Sequence, residues 1–144
     1  MIAVTWFSWS LIAALFWGLG PVFAKLGLVK PDPLIALTVR NIGVLAILLV
    51  WTLGRGDLTA SLLSLDLRTW ILLVLEGASA SVIAHFAYFK ALKMGNIASV
   101  VPITASYPLV SVILSAILLG NKVTLGKAVG VLLTVTGIYL LQRF

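Results

Sequence analysis

The chain alternates long apolar runs with short polar connections. The clearest example covers residues 96–142, where two apolar runs of about 20 residues flank the basic turn GNKVT at residues 120–124. At 1.5 Å per residue, a helix of about 20 residues matches the roughly 30 Å hydrocarbon thickness of a bilayer. This stretch therefore predicts a membrane hairpin.

The same pattern over the whole chain predicts an all-α membrane protein, a single domain of five transmembrane helices over residues 1–144. Continuous apolar runs favour helices over a barrel, whose strands would alternate polar and apolar residues. The leucines of the one long connection, residues 54–68, suit either a short interfacial helix or an irregular loop. The predicted spans cover residues 6–28, 33–53, 69–91, 97–119 and 124–142.

Composition supports the membrane assignment. Hydrophobic residues make up 62% of the chain and charged residues 10%, which excludes an ordinary soluble domain. The formal net charge is +6, but the Lys and Arg residues are scattered singly, mostly at predicted helix ends, so we expect no nucleic-acid partner. With no cysteine and one histidine, we expect no metal and no cofactor. The expected location is the inner or plasma membrane, in a multi-pass arrangement within the lipid bilayer.

The basic residues are almost evenly divided between the two sides of the membrane. Five spans place the termini on opposite sides, and orientation normally follows an excess of Lys and Arg in cytoplasmic loops. The N-terminal side carries Arg55, Arg68, Lys122 and Lys127, and the other side carries Lys25, Lys30, Lys90, Lys93 and Arg143. This balance predicts insertion in both orientations and an antiparallel homodimer of ten helices, the unfused form of an inverted repeat.

Three glycines, Gly126, Gly130 and Gly137, share one face of the fifth predicted span. Small residues at such spacing let two helices approach closely, so this face is the predicted dimer interface. Glycine is also generally common in transmembrane helices, which leaves a less specific interpretation open.

Two charged side chains fall inside predicted spans. Arg40 and Glu76 each lie about seven residues into a helix, or roughly 10 Å deep. The helices that carry them start from opposite sides of the membrane. An inverted second copy would therefore bring Arg40 of one protomer level with Glu76 of the other. We expect an intersubunit ion pair or two ends of a shared cavity, with Glu76 as a proton-coupling site. The alternative is that Arg40 snorkels and Glu76 anchors near the headgroups.

His85 lies nine residues after Glu76, which at α-helical spacing places the two on opposite faces. His85 and Tyr88 belong to a small, polar face suited to a cavity or to helix packing. His85 either carries protons or is hydrogen-bonded within the bundle. Trp17, in the middle of the first span, either lines a cavity or packs.

The fourth span carries polar residues at helical spacing. Thr104 and Ser111, with Tyr107 alongside, predict a cavity wall that contacts a small-molecule substrate. Pro102 and Pro108 free backbone carbonyls that either bind that substrate or bend the helix.

Several segments resemble a known family. The stretch from FAYFKALKMGNIASVVPITASYPLV through GKAVGVLLTVTGIYLL, with WGLGPVFAKLG and LTVRNIGVLAILL earlier, resembles the EamA-type half-repeat of the drug/metabolite transporter superfamily. The resemblance covers nearly the whole chain. Most members of that superfamily carry two inverted repeats and ten helices, which implies that this single repeat must pair. Asn121 departs from the pattern, because many members have Glu after the Leu-Gly turn.

Residues 130–138, GVLLTVTGI, also look like the dimerising helix of the small multidrug resistance transporters. That family depends on a Glu in its first helix, which is absent here, so its proton-coupled cation export is not carried over.

These observations predict a secondary transporter of small metabolites or drugs that works by alternating access. The alternative is a non-transporting or heteromeric membrane subunit that needs a different partner chain. We expect no enzymatic activity, since the hydroxyls nearest His85 lie on its own helix and no GxSG, HExxH or Asp-pair motif is present.

Overall fold

The computed structural model describes residues 6–56 and 58–143, and the regular elements among them are helices. A π-helix, Gly77–Ala84, joins α4 to α5 without interruption. The α-helices are α1 (Trp6–Gly27), α2 (Pro33–Arg55), α3 (Leu58–Leu63), α4 (Leu67–Glu76), α5 (His85–Met94), α6 (Ile97–Thr104), α7 (Tyr107–Leu119) and α8 (Leu125–Arg143).

Four helical stretches within the described residues are long and apolar enough to cross a membrane. They are Trp6–Gly27, Pro33–Arg55, Leu67–Met94 and Ile97–Leu119. The fifth predicted span is present as a shorter apolar helix, Leu125–Leu141. The chain is thus an all-α membrane protein, with the predicted bounds of the first, second and fourth spans met within two residues.

Short polar residues and glycines set the helix ends. Asp32 accepts a hydrogen bond from the Leu34 N–H at 2.8 Å, and Asn96 accepts one from the Ser99 N–H at 2.7 Å, so each caps the helix that follows. Gly56 and Gly120 end α2 and α7 with φ values of 77° and 66°, a left-handed conformation that favours glycine.

Asp66 caps α4, outside the membrane-spanning segments. Its carboxylate accepts a hydrogen bond from the Thr69 N–H at 3.1 Å, and the hydrogen bonds from Thr69 lower the pKa of this carboxyl. The connection before it contains the six-residue helix α3, and the placement of this helix along the membrane interface stays a prediction.

The chain divides into two compact units, Val22–Lys93 and a second unit of Met1–Pro21 with Met94–Phe144. In the first of these, Leu28, Leu37, Phe89 and Leu92 form a small buried core, and Leu92 is 0% exposed. These residues come from the end of the first span, the start of the second and the end of the third. The core of this unit therefore lies at one end of its spans.

Two lysines form hydrogen bonds at the same end of this unit. The Lys25 Nζ donates a hydrogen bond to the Leu92 carbonyl, and the Lys93 Nζ donates one to the Pro31 carbonyl. Both bonds join residues that are more than sixty positions apart. They tie the end of the third span to the first span and to the turn after it.

In the other unit, α6 packs against α8, and Val100 of α6 is buried, with 8% of its surface exposed.

Most other side chains along the spans are exposed in the protomer. In the most apolar stretch of each of the four long spans, no more than 6% of residues are buried. Within the described protomer, the spans therefore leave wide apolar surfaces for lipid or for another chain.

Candidate functional site

The fourth span is broken near its middle. Helix α6 ends at Thr104 and α7 begins at Tyr107, with a turn between them. Pro108 has no N–H to donate to the Thr104 carbonyl, its partner at α-helical spacing, and its ring disfavours a regular helix there. The Ser106 hydroxyl instead donates to the Ile103 carbonyl at 2.6 Å. The helix is therefore interrupted just before Pro108, whereas Pro102 lies inside α6.

An aromatic pair lies at this break. The rings of Trp17 and Tyr107 meet edge to face, with centroids 6.4 Å apart and planes at 83°. Trp17 nevertheless keeps 69% of its surface exposed, and Tyr107 keeps 52%. The structure thus brings together two residues that were predicted separately, and it leaves most of both rings accessible.

The hydroxyls of the fourth span have different roles. The Thr104 hydroxyl donates to the Val100 carbonyl at 2.9 Å, inside its own helix. Ser111 lies about one turn after Tyr107 on α7 and is exposed. The break interrupts the regular helical period that the sequence suggested between these residues, so Ser111 and Tyr107 belong to one helix and Thr104 to the other.

Glu76 is the last residue of α4 and lies directly before the π-helix. Its side chain is exposed in the protomer, while its backbone carbonyl accepts a hydrogen bond from the Ser79 hydroxyl at 2.9 Å. In a π-helix hydrogen bonds join residues five apart, so each residue turns the chain by roughly 80° rather than 100°. The α-helical argument that put Glu76 and His85 on opposite faces therefore does not hold across this segment.

His85 is fixed at the far end of the π-helix. Its Nδ1 lies 2.7 Å from the Ala80 carbonyl oxygen. Since a carbonyl only accepts, Nδ1 carries the proton in this hydrogen bond. The His85 ring also meets Tyr88 and Phe89 edge to face, each with a centroid separation of 6.3 Å. The structure thus shows His85 hydrogen-bonded within its own span, and a proton-carrying role for it stays a prediction.

Arg40 is half-buried in α2. Its guanidinium donates to the Asn41 side-chain oxygen at 2.9 Å, and no carboxylate among the described residues pairs with it. Asn41 was absent from the predicted set. A second polar residue directly after an arginine in an otherwise apolar span was the signal available in the sequence.

The glycine face of α8 is open in the protomer. A Cβ placed on Gly126, Gly130 or Gly137 would meet no atom within 4 Å. The side chains of Thr134 and Thr136 bond within the helix, to the carbonyls of Gly130 and Leu132 at 2.9 Å each. These three glycines therefore contact no other described helix closely in the protomer.

Long apolar helices, polar side chains within the spans and a helix broken near its middle define an all-helical, multi-pass membrane protein. The chain belongs to the EamA-like transporter family, whose pattern it matches over residues 4–143. It is therefore a membrane transporter of this family in general terms, set in the lipid bilayer, and its substrates are expected to be small molecules.

Curated relatives agree with this assignment. The chain is 30% identical to an uncharacterized transporter in the cobO 3′ region of a Sinorhizobium species, over 97% of this chain and 98% of that relative. An uncharacterized protein of Methanocaldococcus jannaschii is 28% identical over 92% of this chain and 93% of its own length. An uncharacterized transporter of Archaeoglobus fulgidus is 26% identical over 54% of this chain and 28% of its own length. No solved structure matches the chain.

Proposed function

We propose that the chain is a secondary transporter of small metabolites or drugs in the cell membrane, working by alternating access as an antiparallel homodimer. In this scheme, two oppositely inserted copies rock about a site near the bilayer midplane.

The exposure of Glu76 carries this proposal. The third span is apolar enough to cross a membrane, and none of the residues in its most apolar stretch is buried in the protomer. An ionised carboxylate facing lipid costs several kcal/mol, so it needs a partner chain or a water-filled cavity. A second copy would be such a partner chain, or would enclose such a cavity together with the first. A carboxylate in a water-filled cavity can exchange protons.

Three further observations favour an inverted copy as the partner. The basic residues divide four against five between the predicted sides of the membrane. The glycine face of α8 is open. The Sinorhizobium and Methanocaldococcus relatives also match almost end to end, so they share the length of a single repeat.

The break in the fourth span is the proposed substrate-contacting region. Broken helices in transporters offer unpaired backbone groups near the midplane, where they bind polar parts of a substrate. Here the Thr104 carbonyl lacks its α-helical partner, and the exposed rings of Trp17 and Tyr107 lie beside the break. Ser111 adds a hydroxyl, and Glu76, Arg40, His85 and Tyr88 complete the proposed set of substrate and coupling residues.

The decisive experiment is transport by the purified chain in liposomes, tested against a panel of metabolites with and without a proton gradient. We expect uptake of at least one compound by this chain alone, and faster uptake with the gradient. Failure with every compound would favour the alternative of a non-transporting or heteromeric subunit.

Two variants of α8 test the dimer in the same assay. Gly130→Leu fills the open glycine face, so we expect it to abolish both dimer crosslinking and uptake. Leu132→Phe adds bulk on a different face of the same helix, where 68% of the leucine is already exposed, and should leave both unchanged. Equal effects of the two variants would remove α8 from the interface.

A further inference from the structure

A small cavity lies at the lysine-bearing end of the unit formed by residues 22–93. Its volume is about 190 Å³, and its lining residues are Lys25, Leu28, Val29 and Lys93. Two cationic side chains and two apolar ones therefore share one recess. The recess lies at the ends of the first and third spans.

Both ammonium groups are held in place by the backbone. Lys25 donates to the Leu92 carbonyl and Lys93 to the Pro31 carbonyl, so each long side chain has lost part of its freedom before any ligand arrives. A lysine ammonium carries three N–H donors. Lys93 bonds to the one carbonyl and to no carboxylate among the described residues, so donors of this group remain for a ligand.

The surrounding charge is mostly positive. Lys30 directly follows Val29, and Lys90 lies about one helical turn before Lys93. The Lys90 Nζ lies 5.7 Å from the centroid of the Phe86 ring. The one nearby acid in the sequence, Asp32, uses its side chain to cap α2. In the predicted topology, the ends of the first and third spans and the start of the second lie on the same side of the membrane, which would place this recess near the lipid headgroups.

We propose that this cavity binds an anionic phosphate group, with the Lys25 and Lys93 ammonium groups on either side of it. Leu28 and Val29 would contact the apolar part of the molecule that carries the phosphate. Two sources share this chemistry, the headgroup of an anionic phospholipid and a soluble phosphate compound. The proposal concerns the end of one protomer, and it holds whether or not the dimer and its transport activity exist.

The test measures lipid retention by the purified chain. The protein in non-ionic detergent is mixed with equal amounts of phosphatidylglycerol and phosphatidylcholine, and native mass spectrometry counts the lipids retained. We expect phosphatidylglycerol to be preferred, because the choline cation masks the phosphate of the other lipid. The double variant K25Q/K93Q should bind phosphatidylglycerol roughly 25-fold more weakly, since each lysine near a membrane surface contributes roughly a fivefold factor.

The matched control is K122Q/K127Q. It removes the same charge around the start of the fifth span, at residues that do not line the cavity, and should retain phosphatidylglycerol as the wild type does. Competition with inorganic phosphate then separates the two sources. Displacement of the lipid by millimolar phosphate supports a soluble ligand, and its absence supports a phospholipid.

Either of two results would overturn the proposal: equal retention of both lipids by the wild type, or equal losses in the two double variants. Because Lys25 and Lys93 also hydrogen-bond to backbone carbonyls at the helix ends, K25Q/K93Q is scored only if its circular dichroism spectrum matches that of the wild type. Should it unfold, the single variant Lys93→Gln takes its place, since Lys93 is exposed, and must then weaken phosphatidylglycerol binding roughly fivefold.

Discussion

Arg40 and Glu76 both lie within the spans, but their side chains differ in burial and in hydrogen bonding. Arg40 is half-buried and bonded to Asn41, whereas the Glu76 side chain is exposed beside the π-helix. Within a membrane, a guanidinium that is half-buried and hydrogen-bonded costs less free energy than a carboxylate that is exposed to lipid. At the residue scale, Glu76 is therefore the side chain on which the proposed proton coupling depends.

Replacing Glu76 by Gln removes the ionisable group and keeps its shape. We expect uptake in liposomes to lose its acceleration by the proton gradient, because the amide that replaces the carboxylate does not take up or release a proton. Asp66→Asn is the matched control, because Asp66 lies outside the spans and asparagine keeps the capping acceptor. Normal gradient-driven uptake by the Glu76 variant would exclude this residue as the coupling site.

Leu92 provides the stability test at this scale. It is 0% exposed, and Leu92→Ala leaves a cavity in the small core, so we expect a loss of about 2 kcal/mol or more in free energy of unfolding. Leu118→Ala removes the same atoms where 73% of the side chain is exposed and should cost much less. Denaturation in mixed micelles measures both, and similar losses would place the core elsewhere.

At the scale of elements, the third and fourth spans depart from straight α-helices, each for a different reason. The fourth span is interrupted just before Pro108, and this is readable from the sequence because Pro108 lacks a backbone donor, although Pro102 is accommodated inside α6. The π-helix of the third span coincides with a side-chain bond, from His85 to the Ala80 carbonyl. Such segments are common at functional sites, and this one changes the angle between Glu76 and His85.

We expect His85→Phe to destabilise the π-helix by about 1 kcal/mol, because the Ala80 carbonyl loses its side-chain donor. Solid-state NMR of the protein labelled at the Ala80 carbonyl carbon should show a shifted resonance. His85→Asn keeps an N–H donor near the position of Nδ1 and should retain the wild-type signal. An unshifted resonance in the phenylalanine variant would show that the π-helix forms without this bond.

The helices themselves were largely predictable. The first span was expected at residues 6–28 and is Trp6–Gly27, because apolar length and a following Pro-Asp-Pro turn define it. The third span was expected at 69–91 and extends over Leu67–Met94, since Asp66 caps it earlier than hydropathy alone indicates. What one sequence does not specify is pairing between distant residues. The Trp17–Tyr107 contact and the two lysine–carbonyl bonds depend on how the helices pack.

At the scale of the whole molecule, the protomer leaves most side chains of its spans exposed, and the glycine face of α8 contacts nothing closely. An antiparallel second copy would bring Arg40 of one protomer to the level of Glu76 of the other. This arrangement remains a proposal, supported by charge balance, the open glycine face and relatives of single-repeat length.

A double charge swap tests the pairing across the dimer. Arg40→Glu and Glu76→Arg alone should each abolish dimer crosslinking, because each places like charges together within the membrane. The double variant restores opposite charges and should recover crosslinking. If the double variant is as defective as the single ones, the two side chains do not pair.

The central claim is that this chain inserts in both orientations, and a reporter fused after Phe144 tests it most directly. The tag carries one cysteine, which is labelled in intact cells by a membrane-impermeant reagent and then, after lysis, by a second reagent. We expect two populations of comparable size, and we expect Lys122→Gln with Lys127→Gln to shift their ratio by changing the charge bias. Labelling from one side only, in every molecule, would contradict the antiparallel homodimer.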